Sequence, residues 1–242
     1  VLPDLTPAGT GSARATRDQP QVIAACGLEL EARMTRGIGV PTVCGAARAD
    51  LLRQRLALSL GVGRTVGLVS FGLAGGLAPE LAPGTLVLPN RVVEGNRSWN
   101  VDADWLRRLR ATCDEAVCAD VAGSDVAIST PHAKRQLRAA TGASIVDMES
   151  HVVAEVARVH GLPFVVIRAV ADTAQSTLPS AALIQLRSDG RPDIGRILID
   201  LVKHPGQMGE IVNLARLSRS AATSLGRVCQ MLGPGLGCPY FL

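Results

Sequence analysis

Apolar residues recur along this chain in two rhythms, and the two alternate most cleanly between Ser144 and Ser176. Ser144–Val146 is a short strand-like run. Ser150–His160 places Val152, Val153, Val156, Ala157 and Val159 at helical spacing. Gly161 and Pro163 stop that helix. Phe164–Val170 is almost continuously apolar over the length of a strand, the pattern of a strand buried on both faces. Two acids stand at the joints. Glu149 sits where the first strand gives way to the helix, and Asp172 sits just past the second strand. Open parallel sheets collect ligands beyond the carboxyl ends of their strands. Both acids are therefore expected to point into one crevice.

The rest of the chain repeats this grammar. Val1–Pro20 has no periodicity and is rich in Pro, Gly, Thr and Arg, so residues 1–20 read as a disordered leader. Residues 21–242 read as a single domain. Gln21–Cys26 predicts the first strand, and Gly27–Glu31 a turn into a short helix. Pro41–Cys44 predicts a second strand and Ala46–Leu60 a helix with Leu52, Leu56 and Leu60 on one stripe. Thr65–Ser70 predicts a third strand, followed by a Gly-rich turn over Phe71–Leu77. Thr85–Leu88 and Arg91–Val93 look like one strand kinked at Pro89. Asp102–Ala116 predicts a helix with Cys113 and Cys118 nearby as packing residues, and Gly123–Ser129 a strand. His132–Ala140 predicts a basic helix with a solvated face. Pro179–Lys203 is expected to be helical, with Ile194, Ile197, Leu198, Leu201 and Val202 as its apolar stripe. Gly206–Leu232 predicts a last helix, with Leu214, Leu217, Ala221, Leu225, Val228 and Leu232 inward and Arg216, Arg219 and Arg227 outward. A basic amphipathic helix with an apolar tail could touch a membrane surface transiently. Packing against the sheet is favoured, because an α/β fold needs such helices.

Composition narrows the classes. With 242 residues, 47% of them hydrophobic, the chain can bury a core without metals or disulfides. Only 2% are aromatic, so that core is aliphatic. The net charge of +4 is mild, and the arginines lack interleaved aromatics for stacking on bases. A nucleic-acid partner is not expected. None of the six cysteines forms a C-x-x-C pair, and no histidines cluster near them. Reduced thiols in a cytoplasmic protein, with no metal site, is the favoured reading over disulfides. No apolar run reaches the ~18 residues of a membrane span. The Gly-rich Phe71–Leu77 lacks the Gly-Lys-Ser/Thr of a phosphate loop and the G-x-G-x-x-G of dinucleotide folds. Taken alone, it says only that backbone passes close to something. The histidines carry no chemistry: His151 is expected to face solvent or an interface.

Three segments together resemble the purine nucleoside phosphorylase and nucleosidase superfamily, over about Val22–Val202. Val146-Asp147-Met148-Glu149-Ser150 is similar to that family's V-[DE]-M-E-[SA]. Ile167-Arg168-Ala169-Val170-Ala171-Asp172-Thr173-Ala174 is similar to its I-R-A-[IV]-[SA]-D-x-A. Gly72-Leu73-Ala74-Gly75-Gly76-Leu77 is near its G-[ST]-[AC]-G-G/A-L. The resemblance implies an α/β fold of three layers, with a mixed central sheet partly closed into a barrel and flanked by helices. It also implies a homo-oligomer without a cofactor, acting on a small-molecule nucleoside.

The resemblance further implies roles. Cleaving an N-glycosidic bond leaves negative charge on the purine and positive charge on the ribose. Asp172 matches the general acid at purine N7, with a pKa raised by burial. Glu149 matches the glutamate that grips ribose hydroxyls, with its charge beside the developing cation. Met148 matches the residue against the sugar. Asp147, Gly72 and Gly75 belong to the same motifs. Glu31 matches the glutamate that activates water in nucleosidases. The phosphorylases' phosphate ligands fall on Ser70 and Leu73, which favours water over phosphate as nucleophile. Phosphate remains a conceivable co-substrate, held by backbone amides and Arg33, Arg36 or Arg48. An aromatic that stacks on the base is replaced by Ala127, with Ile128 beside it. The wording CGLELEAR, FGLAGGL and DMESHVVA is most similar to the hopanoid-associated phosphorylase branch. That branch implies adenine release from a lipid-linked nucleoside such as adenosylhopane. Phosphorolysis, and a nucleoside-binding protein that has lost catalysis, are the alternatives; Ala171 and Leu73 give the latter some weight.

Overall fold

The computed structural model describes residues 19–179, 187, 189–191, 193 and 208–241. In chain order the elements are β1 (Pro20–Cys26), α1 (Glu29–Gly37), β2 (Thr42–Cys44), α2 (Ala49–Leu60), β3 (Arg64–Gly76), β4 (Leu86–Val87), β5 (Arg91–Glu94) and β6 (Arg97–Asn100). Then come α3 (Ala103–Thr112), β7 (Val121–Gly123), α4 (Pro131–Thr141), β8 (Ile145–Asp147), α5 (Ser150–His160), β9 (Phe164–Asp172) and α6 (Met208–Leu232). The leader lies almost wholly outside the described residues, and β1 opens at Pro20. The helical stripe expected on Ile194, Ile197, Leu198, Leu201 and Val202 also falls outside them.

The strands form one mixed sheet in the order β2-β1-β3-β8-β7-β5-β6, with β9 on the other side of β3 and β4 beyond it. All nine residues of β9 are buried, as a strand covered on both faces requires. Helix α6 covers one region of the sheet through Ala221, Leu225, Val228 and Cys229, all buried. It is therefore a packed helix, and no described helix is long and apolar enough to cross a membrane. The tail beyond it is tied down where Trp105 Nε1 donates to the Leu236 carbonyl at 2.9 Å. The core is aliphatic, with Val22, Ile23, Leu52, Leu56, Leu68 and Val166 among its buried members. All six cysteines are free.

Several boundaries differ from the sequence reading, each for a tertiary reason. The expected Gly-rich turn is strand: β3 runs straight on for 13 residues to Gly76. Its first half pairs with β1 up to Ala25↔Ser70, and its end pairs with β8 at Gly75↔Val146. The glycines let one strand leave one partner and reach another, which curls the sheet towards a partial barrel. The expected strand Gly123–Ser129 stops at Gly123, where Ser124 folds back and its Oγ meets the amide of Val126 at 3.2 Å. Pro89 separates two strands with different neighbours, since β4 pairs with β9 and β5 with β6 and β7. β6, half-exposed and polar, gave no apolar signal. Helix α3 ends at Thr112, and Asp102 is its N-cap, accepting from Trp105 N at 2.8 Å.

Candidate active site

A break in the sheet's hydrogen-bond ladder organises the site. On its β1/β8 side, β3 has a partner up to Ser70 and again from Gly75. Between them the backbone edge is satisfied by side chains instead. Leu73 N donates to Glu31 Oε1 at 2.8 Å, and the Leu73 carbonyl accepts from Arg168 Nη1 at 3.3 Å. A cavity of about 270 Å³ opens at this gap. That is slightly under the ~300–1,000 Å³ usual for small-molecule sites. Glu31, Glu149 and Asp172 all line it. Met148, Asp147 and Gly75 contribute further wall, as do Ala127 and Ile128 from the loop after β7. Gly72 lies behind the wall, packed on Arg168 and Glu31.

Two of the acids stand at strand ends and the third in the first turn of a helix. Glu31 stands in the first turn of α1, where its Oε2 accepts from the amides of Gly27 at 3.0 Å and Leu28 at 2.9 Å. An anion at a helix N-terminus is favoured by these unpaired N–H groups. Glu149 is the residue on which α5 begins. Asp172 ends β9 beyond a bulge. The register passes from Ala74↔Val170 to Gly75↔Asp172, so Ala171 is the extra residue. A bulge re-aims the side chains that follow it, and here it accompanies Asp172 into the cavity wall.

Arg168 is the cation of this cluster, and sequence reasoning assigned it no role. Its side chain is wholly buried. Its Nε lies 2.6 Å from Asp147 Oδ2, an ion pair rather than a well-aligned hydrogen bond. Nη2 lies 3.3 Å from Glu149 Oε2 and donates to Ser70 Oγ at 2.6 Å. Asp147 also accepts from Ser150 N at 3.0 Å and from the Ser150 hydroxyl. Its carboxylate is thus spent on holding the joint between β8 and α5. Three buried carboxylates, Glu31, Asp147 and Glu149, face one guanidinium, and charge in a low-dielectric interior must be compensated or neutralised. Burial pushes Glu149 up to about 8, against the pull of Arg168 and with help from Asp147 and Glu31. Burial also raises Glu31, while Arg168 and three backbone amides pull it down. Burial and the two neighbouring carboxylates thus favour the protonated form of Glu149, and Arg168 opposes it.

Burial raises the pKa of Asp172, as expected, but an unexpected neighbour opposes it. Lys134, read as part of a solvated basic helix, is 1% exposed and hydrogen-bonds Asp172 Oδ2. Helix α4 leans this residue against the exit of β9, which helical spacing alone did not reveal.

Close backbone approach explains the glycines. A Cβ on Gly72 would stand 2.5 Å from Arg168 Nη1 and 2.7 Å from Glu31 Oε1. One on Gly27 would collide with Glu149 Oε1. The loop after β2 holds Ala46 and Ala47 at φ 54° and 52°, a left-handed conformation disfavoured for alanine by about 1–2 kcal/mol each. Ala47 lines the cavity. His151 is buried rather than solvent-facing, with Nε2 3.0 Å from Asp125 Oδ1. The arginines considered for phosphate are engaged at the surface: Arg33 and Arg36 with Glu29, and Arg48 with Asp50. Ser70 is buried beneath Arg168.

Residues 14–203 match the family model described as the phosphorylase superfamily. The chain belongs to the phosphorylase superfamily. Solved structures with the same fold include the 5′-methylthioadenosine/S-adenosylhomocysteine nucleosidase of Neisseria meningitidis in complex with methylthio-immucillin-A. It is 14% identical at a TM-score of 0.61, with 88% of this chain and 98% of that one covered. The corresponding Helicobacter pylori nucleosidase, bound to butyl-thio-DADMe-Immucillin-A, is 15% identical at a TM-score of 0.57, covering 87% and 97%. Futalosine hydrolase of the same bacterium is 15% identical at 0.56, covering 86% and 95%. A search of curated protein sequences finds no match.

Proposed function

We propose that this member of the phosphorylase superfamily cleaves the N-glycosidic bond of a purine nucleoside and releases adenine. The convergence of Glu31, Glu149 and Asp172 on one cavity carries this reading. As the bond between C1′ and N9 lengthens, its electron pair goes to the purine, and Asp172 delivers a proton to N7. Such a transfer contributes about 10²–10⁴-fold in rate. Glu149, whose protonated form burial favours, donates to and accepts from ribose hydroxyls. Glu31 takes the proton of the water that attacks C1′; the burial that raises its pKa makes it a better base. Among the residues at the expected phosphate positions, Ser70 is occupied by Arg168 and Leu73 is aliphatic, which supports water as nucleophile. Some solved structures of this architecture are likewise described as hydrolytic enzymes.

Leu73, Val126, Ile128, Leu178 and Leu214 give the cavity an aliphatic side. That side suits a substrate with a large apolar 5′ group, and adenosylhopane is the specific proposal. Chromatographic assay of adenine from adenosylhopane and from 5′-methylthioadenosine, with and without phosphate, tests both parts. Release of adenine and free sugar without phosphate is expected. Release only with phosphate would replace hydrolysis by phosphorolysis. No adenine from either nucleoside under either condition would refute the reading.

A further inference from the structure

Lys134 is a costly residue to place where it stands. A lysine is rarely buried unless paired, because its ammonium loses hydration. Here the stem runs inward from α4 and all three ammonium hydrogens have acceptors. These are Asp172 Oδ2, the Thr173 carbonyl at 2.7 Å and the Ser176 carbonyl at 3.3 Å. Its neighbour on the helix, Arg135, is exposed. Lys134 is not part of the cavity wall, whereas Asp172 is. The ammonium therefore approaches Asp172 from behind. With Oδ2 engaged, Oδ1 is the oxygen without a protein partner among the described residues. It is the one free to meet a ligand.

We propose that Lys134 is the positioning residue of the proton donor: it fixes Asp172 so that Oδ1 is presented to the purine, and it stabilises the carboxylate left when the proton departs. The inference rests on the reading of Asp172 as general acid. In the step, the proton on Asp172 Oδ1 moves to N7 and the C1′–N9 pair collapses onto the purine. Asp172 becomes an anion beside the Lys134 ammonium. Water adds to C1′ and its proton passes to Glu31; Glu31 then releases that proton to solvent and Asp172 takes one up, which resets both groups. Without Lys134 the same carboxyl would be a weaker acid held less firmly. The other charged groups around the cavity, Glu31, Asp147 and Glu149, cluster on Arg168. Among the described residues, Lys134 is the charge acting on Asp172.

The test uses the full chain with 5′-methylthioadenosine as probe, comparing wild type, Lys134→Met, Lys134→Arg and Asp172→Asn. An acid that must be protonated loses activity as pH rises through its pKa. Removing the ammonium should move that alkaline limb of kcat/KM upward by about one pH unit or more and lower the plateau about 10–100-fold. Lys134→Arg should keep both near wild type. A Lys134→Met protein that is folded by circular dichroism but keeps its limb in place would overturn the inference, since a purely structural loss moves no limb. Turnover retained by Asp172→Asn would instead overturn the acid assignment itself. Carboxyl ¹³C NMR titration of Asp172 in the ligand-free proteins reads the same coupling without turnover. An unchanged Asp172 titration in Lys134→Met, or in Lys134→Gln should the methionine variant not fold, would also defeat the proposal.

Discussion

Replacing Glu149 by Gln is the sharpest test of the buried charge cluster, because it keeps the side chain's shape and removes its titration. Glu149 is 6% exposed, and its carboxyl is pushed up to about 8. In the unfolded chain it titrates near the ordinary value of 4.5. The folded value is the higher one, so the folded state binds this proton more tightly. The stability that this provides is complete below pH 4.5 and is lost as pH rises through about 8. At ~1.4 kcal/mol per pH unit, the full interval would be worth roughly 5 kcal/mol. Glu149 shares its surroundings with Glu31 and Arg168, so the cluster titrates jointly and about 2–5 kcal/mol is expected. Urea unfolding at pH 5, 6.5, 8 and 9, followed by far-ultraviolet circular dichroism, measures it. The stability of wild type minus that of Glu149→Gln should fall by that amount between pH 5 and 9. Glu29 and Glu155, held below the usual range by surface arginines, are common to both proteins and cancel. Parallel curves would refute the charge accounting and return an ionised Glu149 to the resting site.

The remaining predictions concern the groups around that cluster. Asp172→Asn should cost about 10²–10⁴-fold in kcat while adenine binding, measured by calorimetry, changes only a few-fold. Arg168→Met should destabilise by about 3–5 kcal/mol at pH 8, and by less at pH 5 where the stranded carboxyls can take up protons; thermal melts at the two pH values compare them. Gly72→Ala pushes a methyl into Arg168 and Glu31 and should cost about 1–3 kcal/mol together with a loss of turnover. Ala47→Gly relieves a left-handed alanine and should raise stability by roughly 0.5–1 kcal/mol in the same urea assay, because strain relief exceeds the entropy that glycine adds to the unfolded chain.

Strands buried on both faces were the most legible feature. Phe164–Val170 declared β9, and Ser150–His160 is α5 residue for residue. Features set by a partner were not legible. The Gly-rich stretch Phe71–Gly76 carries the composition of a turn, yet it is strand because β9 pairs with it along almost its whole length. Loop 124–130 carries the β-branched residues of a strand, but Ser124 bends the chain out of the ladder.

Local sequence determined which residues lie where strands end, since periodicity and breakers act within a few residues. Glu149 and Asp172 were identified there, whereas Glu31 was identified only through the family resemblance. Their separation, orientation and protonation were decided only by the folded chain. A gap in one side of β3, the approach of α4 and the buried guanidinium of Arg168 bring together segments distant in sequence. Charges interact through space, and burial is a property of the whole fold. This is why Arg168 and Lys134, unremarkable in their own segments, became the two cations that govern the three acids.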